Sequence, residues 1–282
     1  MDERIEANRK HWDEAVPVHL ASTTYDVANF GKGRGRLKPV ELEEVGDVRG
    51  KSLLHLQCHF GLDTLSWAME GAQVTGVDFS EPAVEAARKL GEEHGIDARF
   101  VVSDVYDLPD RLDGDFDIVF TSYGALNWLP DLDPWARVAA HFVKPGGTFY
   151  VVEFHPVAMI FDDAPDVTEL KVRYPYFPEF GPIRSEDDGT YADLDATFEN
   201  KVTYDFPHPT SEVVTALIDA GFQIEFFHEF PFGNWKFLPI MEHIDRYTCR
   251  LTKNHGSVPL LYSIKATKAG KATKAGKAMK AA

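Results

Sequence analysis

The sequence predicts an α/β fold, a doubly wound sheet with helices on both faces, and three observations carry that expectation. Between residues 50 and 156 short β-like runs alternate with amphipathic helical stretches, the pattern of a mostly parallel sheet wrapped by helices. Glycines and prolines punctuate that alternation where helices stop. After residue 210 the alternation resumes with one helix and two further strands, bringing the expected sheet to seven strands.

Taken in order, SLLHLQCH (52–59) is an apolar run bounded by Gly50 and Gly61, followed by a helix from Asp63 to Glu70 that ends at Gly71. AQVTGVDF (72–79) is the second strand. Ser80 then supplies an N-cap and Pro82 sits in the first turn of a helix running to His94, before Gly95. ARFVVSDV (98–105) and FDIVFTSY (116–123) are strands three and four. A helix from Leu132 to Phe142, stopped by Pro145-Gly146-Gly147, leads into the fifth strand, TFYVVEF (148–154). A helix from Ser211 to Ala220 and strands FQIEFFHEF (222–230) and LLYSIKAT (260–267) complete the set.

The chain divides accordingly into an N-terminal helical cap (1–50), a core (51–156), an insertion (157–209), the C-terminal part of the core (210–264) and a tail (265–282). The insertion is rich in proline and aromatics, among them Tyr174, Pro175, Tyr176, Phe177 and Phe180, without a sustained period, and reads as a lid over a substrate. The tail repeats KATKAG and offers no apolar face to bury, so a mobile, solvated segment is expected. Gly31-Lys-Gly-Arg-Gly lies before the first strand and reads as a flexible loop, or as one whose Arg34 or Arg36 closes over an anionic group.

Composition excludes several function classes. Of 282 residues 44% are hydrophobic and 26% charged, enough for one substantial core. The net charge of −16 hides an asymmetry: removing the six lysines from Lys265 onward leaves 23 basic against 45 acidic residues, about −22. So acidic a body forfeits the counterion release that drives nucleic-acid binding. No apolar run is long enough to span a membrane, and the first residues lack a signal peptide's apolar segment, so a cytoplasmic protein is expected. Cys58 and Cys249 form no CxxC pattern and read as structural thiols. His55 and His59 are four apart but lie in a strand and its turn, with no third ligand, so no metal site is expected.

In a doubly wound sheet the ligand binds beyond the carboxyl ends of the strands. At the first strand's end Gly61 lets backbone approach a ligand, and the following helix offers free N–H groups. Asp78, ending the second strand seventeen residues later, can accept from two ribose hydroxyls, and Ser103-Asp104-Val105 ends the third where a carboxylate can accept from an adenine amino group. Together they outline a site for an adenosine bearing a second, anionic group. A dehydrogenase requires GxGxxG after the first strand, which is missing.

These segments resemble the ordered motifs of class I S-adenosylmethionine (SAM)-dependent methyltransferases. LLHLQCHFG is similar to the family's glycine-rich first motif, VDFS to its acidic second-strand motif and SDVYDLP to its adenine loop. FDIVFTSYGALNWLPD resembles its fourth-strand motif, and FVKPGG its turn before strand five. His55, Gln57 and His59 stand where the family carries an acidic residue and two glycines. The resemblance implies a seven-stranded sheet with its last strand antiparallel. It also implies SAM held around His55, Gln57 and Gly61, by Asp78 at the ribose, by Phe79, Ser103, Asp104 and Val105 at the adenine, with the methyl group towards Ser122 and Tyr123. Trp12 and Tyr25 of the cap are expected to cover the site, or else to be ordinary core.

The expected reaction is methyl transfer to a small-molecule acceptor through an oxygen, nitrogen or carbon nucleophile. The alternative is a non-catalytic SAM-binding or scaffold protein of the same fold. A macromolecular methyltransferase would carry a basic groove or the Asn/Asp-Pro-Pro-aromatic motif, absent here. No nucleic-acid or membrane partner is expected, and the chain is expected to act as monomer or homodimer. Should the acceptor be a hydroxyl, a base is useful. His155 is the first candidate, with His208 and Glu153 behind it, and Tyr123 is expected to orient the acceptor or pack on it.

Overall fold

The computed structural model describes residues 2–32 and 35–270. The expectations placed on Arg34 and on the chain from residue 271 lie outside the described residues. Two helices form the cap, α1 (Glu3–Ala21) and α2 (Pro39–Val45). The Asp2 side chain caps α1 by accepting the backbone N–H of Arg4, and the Glu41 carboxylate at the third position of α2 accepts the N–H of Lys38.

The core then runs β1 (Ser52–Leu56), α3 (Leu62–Met69), β2 (Gln73–Asp78), α4 (Glu81–His94), β3 (Ala98–Val102), β4 (Phe116–Ser122), α5 (Leu132–Phe142) and β5 (Val143–Phe154). Ser80 caps α4 by accepting from the Ala83 N–H, and Gly95 ends it in the left-handed conformation. The insertion holds one antiparallel hairpin, β6 (Ile183–Glu186) with β7 (Val202–Asp205). Helix α6 (Thr210–Asp219) and strand β8 (Phe222–Phe230) follow, then a small hairpin, β9 (Met241–His243) with β10 (Cys249–Leu251), and finally β11 (Leu261–Lys268).

The main sheet has seven strands in the order β3-β2-β1-β4-β5-β11-β8. Strands β1 to β5 pair in parallel, while β11 lies between β5 and β8 and is antiparallel to both. Successive strand residues alternate between the faces. Leu54, Val119, Phe149 and Val151 pack under α5 and α6, whereas Leu53, Ile118, Phe120, Tyr150 and Val152 pack under α2 and α3. Both faces being covered, the strands read as near-continuous apolar runs.

Several boundaries differ from the sequence reading: β3 ends at Val102 rather than at residue 105, and β5 begins at Val143 rather than at residue 148. The ladder of β1 ends at Leu56, because Gln57 turns the backbone out of the extended region. The last strand runs to Lys268, so the lysine repeat does not begin as a free tail at residue 265. Ala266 is buried, and the Lys265 and Lys268 ammonium groups donate to the carbonyls of Glu44 and Val143. Alternation on a two-residue period lets a lysine stem cross the sheet edge while its neighbour enters the core.

Candidate active site

The strand order reverses between β1 and β4, and at their carboxyl ends two cavities meet. The smaller, about 120 Å³, lies over β1, β2 and β3 and is lined by Gln57, Asp78, Phe79, Ser103, Asp104, Val105 and Ser122 among others. The larger, about 800 Å³, extends under the cap, the insertion and the β8–β9 connection, with His55, Gly61, Asp63, Phe154, Trp235 and Phe237 in its wall. Trp12, Tyr25, Gln57, His59, Ser122, Tyr123, Gly124, Trp128 and Tyr191 line both, so the cavities share one partition.

The turn after β1 keeps the backbone of a glycine-rich loop without its glycines. Gln57 and His59 hold φ of 56° and 51°, beside Gly61 at 77°. A left-handed residue with a side chain costs about 1–2 kcal/mol. The strain is held by neighbours: Gln57 Nε2 donates to the Ala125 carbonyl at 2.8 Å, and the His59 N–H donates to Asp78 Oδ2 at 2.7 Å. At Gly61 a Cβ would meet the Phe100 ring at 2.7 Å and Ala87 Cβ at 2.8 Å, which explains why this glycine alone remains.

Asp78 is buried, its Oδ1 accepting the Ser80 N–H at 3.0 Å opposite the His59 bond to Oδ2. Burial pushes its carboxyl up to about 6, against the lowering effect of those backbone donors. Each oxygen retains lone-pair capacity towards the cavity. Asp104, also raised by burial, accepts the Tyr106 N–H at 3.0 Å.

The cap and insertion close the site with aromatic side chains. Trp12 meets Trp128 edge-on at 5.2 Å, and Tyr25 packs on Phe60 at 4.7 Å. Tyr191 of the insertion reaches the Tyr25 hydroxyl and packs at a tilt against Trp235, ring centres 4.8 Å apart. Behind this roof His19 Nδ1 and His59 Nε2 share a hydrogen bond of 3.0 Å, and burial holds both imidazoles neutral, His19 down to about 4. The insertion is tied to α1 through Asn8, which exchanges two hydrogen bonds with the Tyr204 backbone, and through Glu14, which accepts from the Glu199 and Asn200 N–H groups. Arg36 lines the larger cavity and donates to the Thr24 carbonyl.

All the residues expected around the cofactor therefore line one or both cavities, but three of the four catalytic candidates do not. The expectation that Glu153 and His155 face the cleft is corrected. The Glu153 carboxylate points into the turn after β4, where it accepts the N–H groups of Gly124 and Leu126 at 2.6 and 3.0 Å and that of Ala125, besides the N–H of its own neighbour Phe154 at 2.8 Å. His155, one residue past β5, places Nε2 3.0 Å from Glu229 and accepts the Val157 N–H at Nδ1. His208 donates through Nε2 to the Leu129 carbonyl at 2.7 Å and is likewise walled off. Tyr123 does line both cavities, at φ of 29°, but its hydroxyl donates to the buried Glu41 carboxylate at 2.7 Å. Burial and that carboxylate hold its proton on.

The sequence reading missed Asp63, His59, Trp128 and Tyr191 as wall residues. Asp63 and His59 had a signal, being within two residues of Gly61. Tyr191 had none, because only the fold of the insertion brings it over the site. Among the described residues no cluster of three or more His, Cys, Asp or Glu could hold a metal ion.

Residues 53–147 match the family model described as a methyltransferase domain. This segment is similar to a methyltransferase domain. Around it, a protein named ubiquinone biosynthesis O-methyltransferase from Bordetella avium is 30% identical over 148 residues, 50% of this chain and 61% of the relative. One of the same name from Xanthomonas oryzae pv. oryzae is 34% identical over 135 residues, 47% and 56% of the two chains. The chain thus spans roughly three fifths of the length of the curated relatives it matches. A SAM-dependent methyltransferase structure from Listeria monocytogenes superposes with a TM-score of 0.56 at 20% identity, covering 81% of this chain and 95% of that one. Another from Mesorhizobium loti gives 0.55 at 19%, covering 84% and 100%. The chain therefore shares the Rossmann-like fold of these structures, and the cap, insertion and β8–β11 region fall outside the matched model. Among the described residues no helix is long and apolar enough to cross a membrane.

Proposed function

We propose that this chain transfers a methyl group from SAM to a small-molecule acceptor bound in the larger cavity. The observation that carries the reading is Asp78, a buried carboxylate at the end of β2 that keeps lone pairs towards a cavity at the switch point of the sheet. Vicinal ribose hydroxyls suit such an acceptor. Phe79, Ser103, Asp104 and Val105 would hold the adenine, and the backbone at Gln57 to Gly61 the remainder. When bound, the sulfonium supplies a methyl group already activated for displacement at carbon.

The chain's part is to align and to exclude water. The partition shared by the two cavities, roofed by Trp12, Trp128 and Tyr191, is where acceptor and donor would meet. Alignment and desolvation of this kind can supply about 7–11 kcal/mol. Phe154, Trp235, Phe237 and Tyr247 favour a flat, largely apolar acceptor, and the O-methyltransferase names of the relatives support an oxygen nucleophile. Tyr123 serves as a packing wall, since its hydroxyl is already committed to Glu41. Two free thiols, Cys58 and Cys249, accord with a cytoplasmic setting.

Calorimetric titration of the wild type and Asp78→Ala with SAM and with its demethylated product S-adenosylhomocysteine tests the cofactor. Transfer of a labelled methyl group to a panel of phenols then tests catalysis. Binding lost in the variant, with turnover in the wild type, is expected. Binding without turnover of any acceptor would favour the non-catalytic alternative, and no binding by the wild type would refute the reading.

A further inference from the structure

At the position where the first motif of the resembling family is acidic, this chain has His55. Its imidazole is buried and, held down to about 4 by burial, carries no charge at neutral pH, so it cannot pair with an ammonium group. A carboxylate nevertheless stands beside it. Asp63, in the first turn of α3, lines the larger cavity next to Gln57 and Gly61, and its Oδ2 lies 3.5 Å from Ser122 Oγ.

The surrounding hydrogen bonds run in one direction. An ionised carboxylate only accepts, so the Ser122 hydroxyl donates to Asp63 and must in turn accept from His55 Nε2 at 3.3 Å. His55 Nδ1 is then the acceptor for the Thr64 hydroxyl at 2.8 Å. His55 is thereby fixed in one tautomer and acts on Asp63 through Ser122. The other acid at this end of the cavity is spent: Glu41 is buried, bonded by the Tyr123 hydroxyl and the Lys38 N–H, with the Lys38 ammonium 3.7 Å away. Among the described residues Asp63 has no ion-pair partner. Arg36 lines the same cavity and offers positive charge to a neighbouring anion.

We infer that Asp63 takes over from the missing strand acid and binds the α-ammonium group of the cofactor's amino-acid end, with Arg36 available to its carboxylate. The acid has moved from the strand to the helix that follows it, and His55 and Ser122 are positioning residues that orient it. This inference rests on the proposed cofactor.

The test separates the two ends of that ligand. S-adenosylhomocysteine carries the amino acid and 5′-methylthioadenosine lacks it, so both are titrated calorimetrically into the full chain as wild type and as Asp63→Asn. The expected result is a ten- to hundredfold loss of S-adenosylhomocysteine affinity with methylthioadenosine affinity unchanged, the latter also showing that the variant is folded. Asp63→Glu, which keeps the charge, is expected to stay within a few-fold of wild type for both ligands. Unchanged S-adenosylhomocysteine affinity in Asp63→Asn, or equal loss of both ligands, would overturn the inference. Failure of both ligands to bind the wild type would instead overturn the cofactor reading itself.

Discussion

Replacing Asp78 by asparagine removes the charge while keeping the shape. In the wild type each carboxylate oxygen accepts one backbone N–H, from His59 at 2.7 Å and from Ser80 at 3.0 Å. An amide turns one of those oxygens into a donor facing a donor, and leaving a buried N–H unmade costs about 1–3 kcal/mol of stability. A hydrogen bond to a charged group contributes about 1.5–3 kcal/mol, so losing the ionised acceptor for a ribose hydroxyl should weaken S-adenosylhomocysteine binding about 10- to 150-fold. The pH dependence gives a second handle. Burial places this carboxyl near 6, and the ionised form is the better acceptor, so wild-type affinity is full above that value and falls as pH drops through it. At pH 5 about one tenth of the groups are ionised, an affinity loss of about tenfold or 1.4 kcal/mol. The same upward shift has the opposite sign for folding. This group favours the native state in acid, and that contribution fades as pH rises from its ordinary 3.8 to about 6. Calorimetry of both proteins between pH 5 and 7.5 is the assay, with thermal unfolding as the control. Wild-type affinity independent of pH, or an Asn variant that binds as tightly as the wild type, would refute the reasoning.

Three further outcomes are expected. Gly61→Ala forces a Cβ to within 2.7–2.8 Å of Phe100 and Ala87 at a φ of 77°; overpacking of about 1–3 kcal/mol and left-handed strain of about 1–2 kcal/mol should lower denaturant stability by about 2–5 kcal/mol. Glu153→Gln replaces an acceptor of four N–H groups and should destabilise the fold by about 2–4 kcal/mol, measured by urea unfolding, because at least one buried donor is left facing a donor. His155→Gln should change turnover of any acceptor found by less than about threefold, since the imidazole faces Glu229 rather than either cavity; a loss of about a hundredfold, the usual worth of a general base, would restore it as one.

The corrected candidates share a cause. Glu153 and His155 were placed in the cleft because they sit at the carboxyl end of β5, where ligands bind in such sheets. Side chains on a strand alternate, however, and the end of β4 needs acceptors for the N–H groups of Gly124, Ala125 and Leu126, which the turn beginning at Tyr123 leaves unpaired. A polar residue near a strand end is equally suited to both duties, and only the direction of its Cβ decides.

The alternation of strands and helices from residue 50 onward, their stops at Gly71, Gly95 and Gly221, and the acid at Asp78 were legible in the sequence because each rests on local chemistry: periodicity, capping and turn conformation. That the last strand is antiparallel was implied by the family resemblance, whereas its insertion between β5 and β8 came only from the pairing, since an antiparallel strand has the same pattern of residues as a parallel one. The tertiary structure alone decided that Gln57 and His59 adopt glycine-like backbone, because a strained residue is held by distant partners such as the Ala125 carbonyl and the Asp78 carboxylate. It alone brought Tyr191 over the site, and turned Asp63 towards Ser122, since contacts between residues so far apart in the chain depend on packing and leave no periodic trace in the sequence.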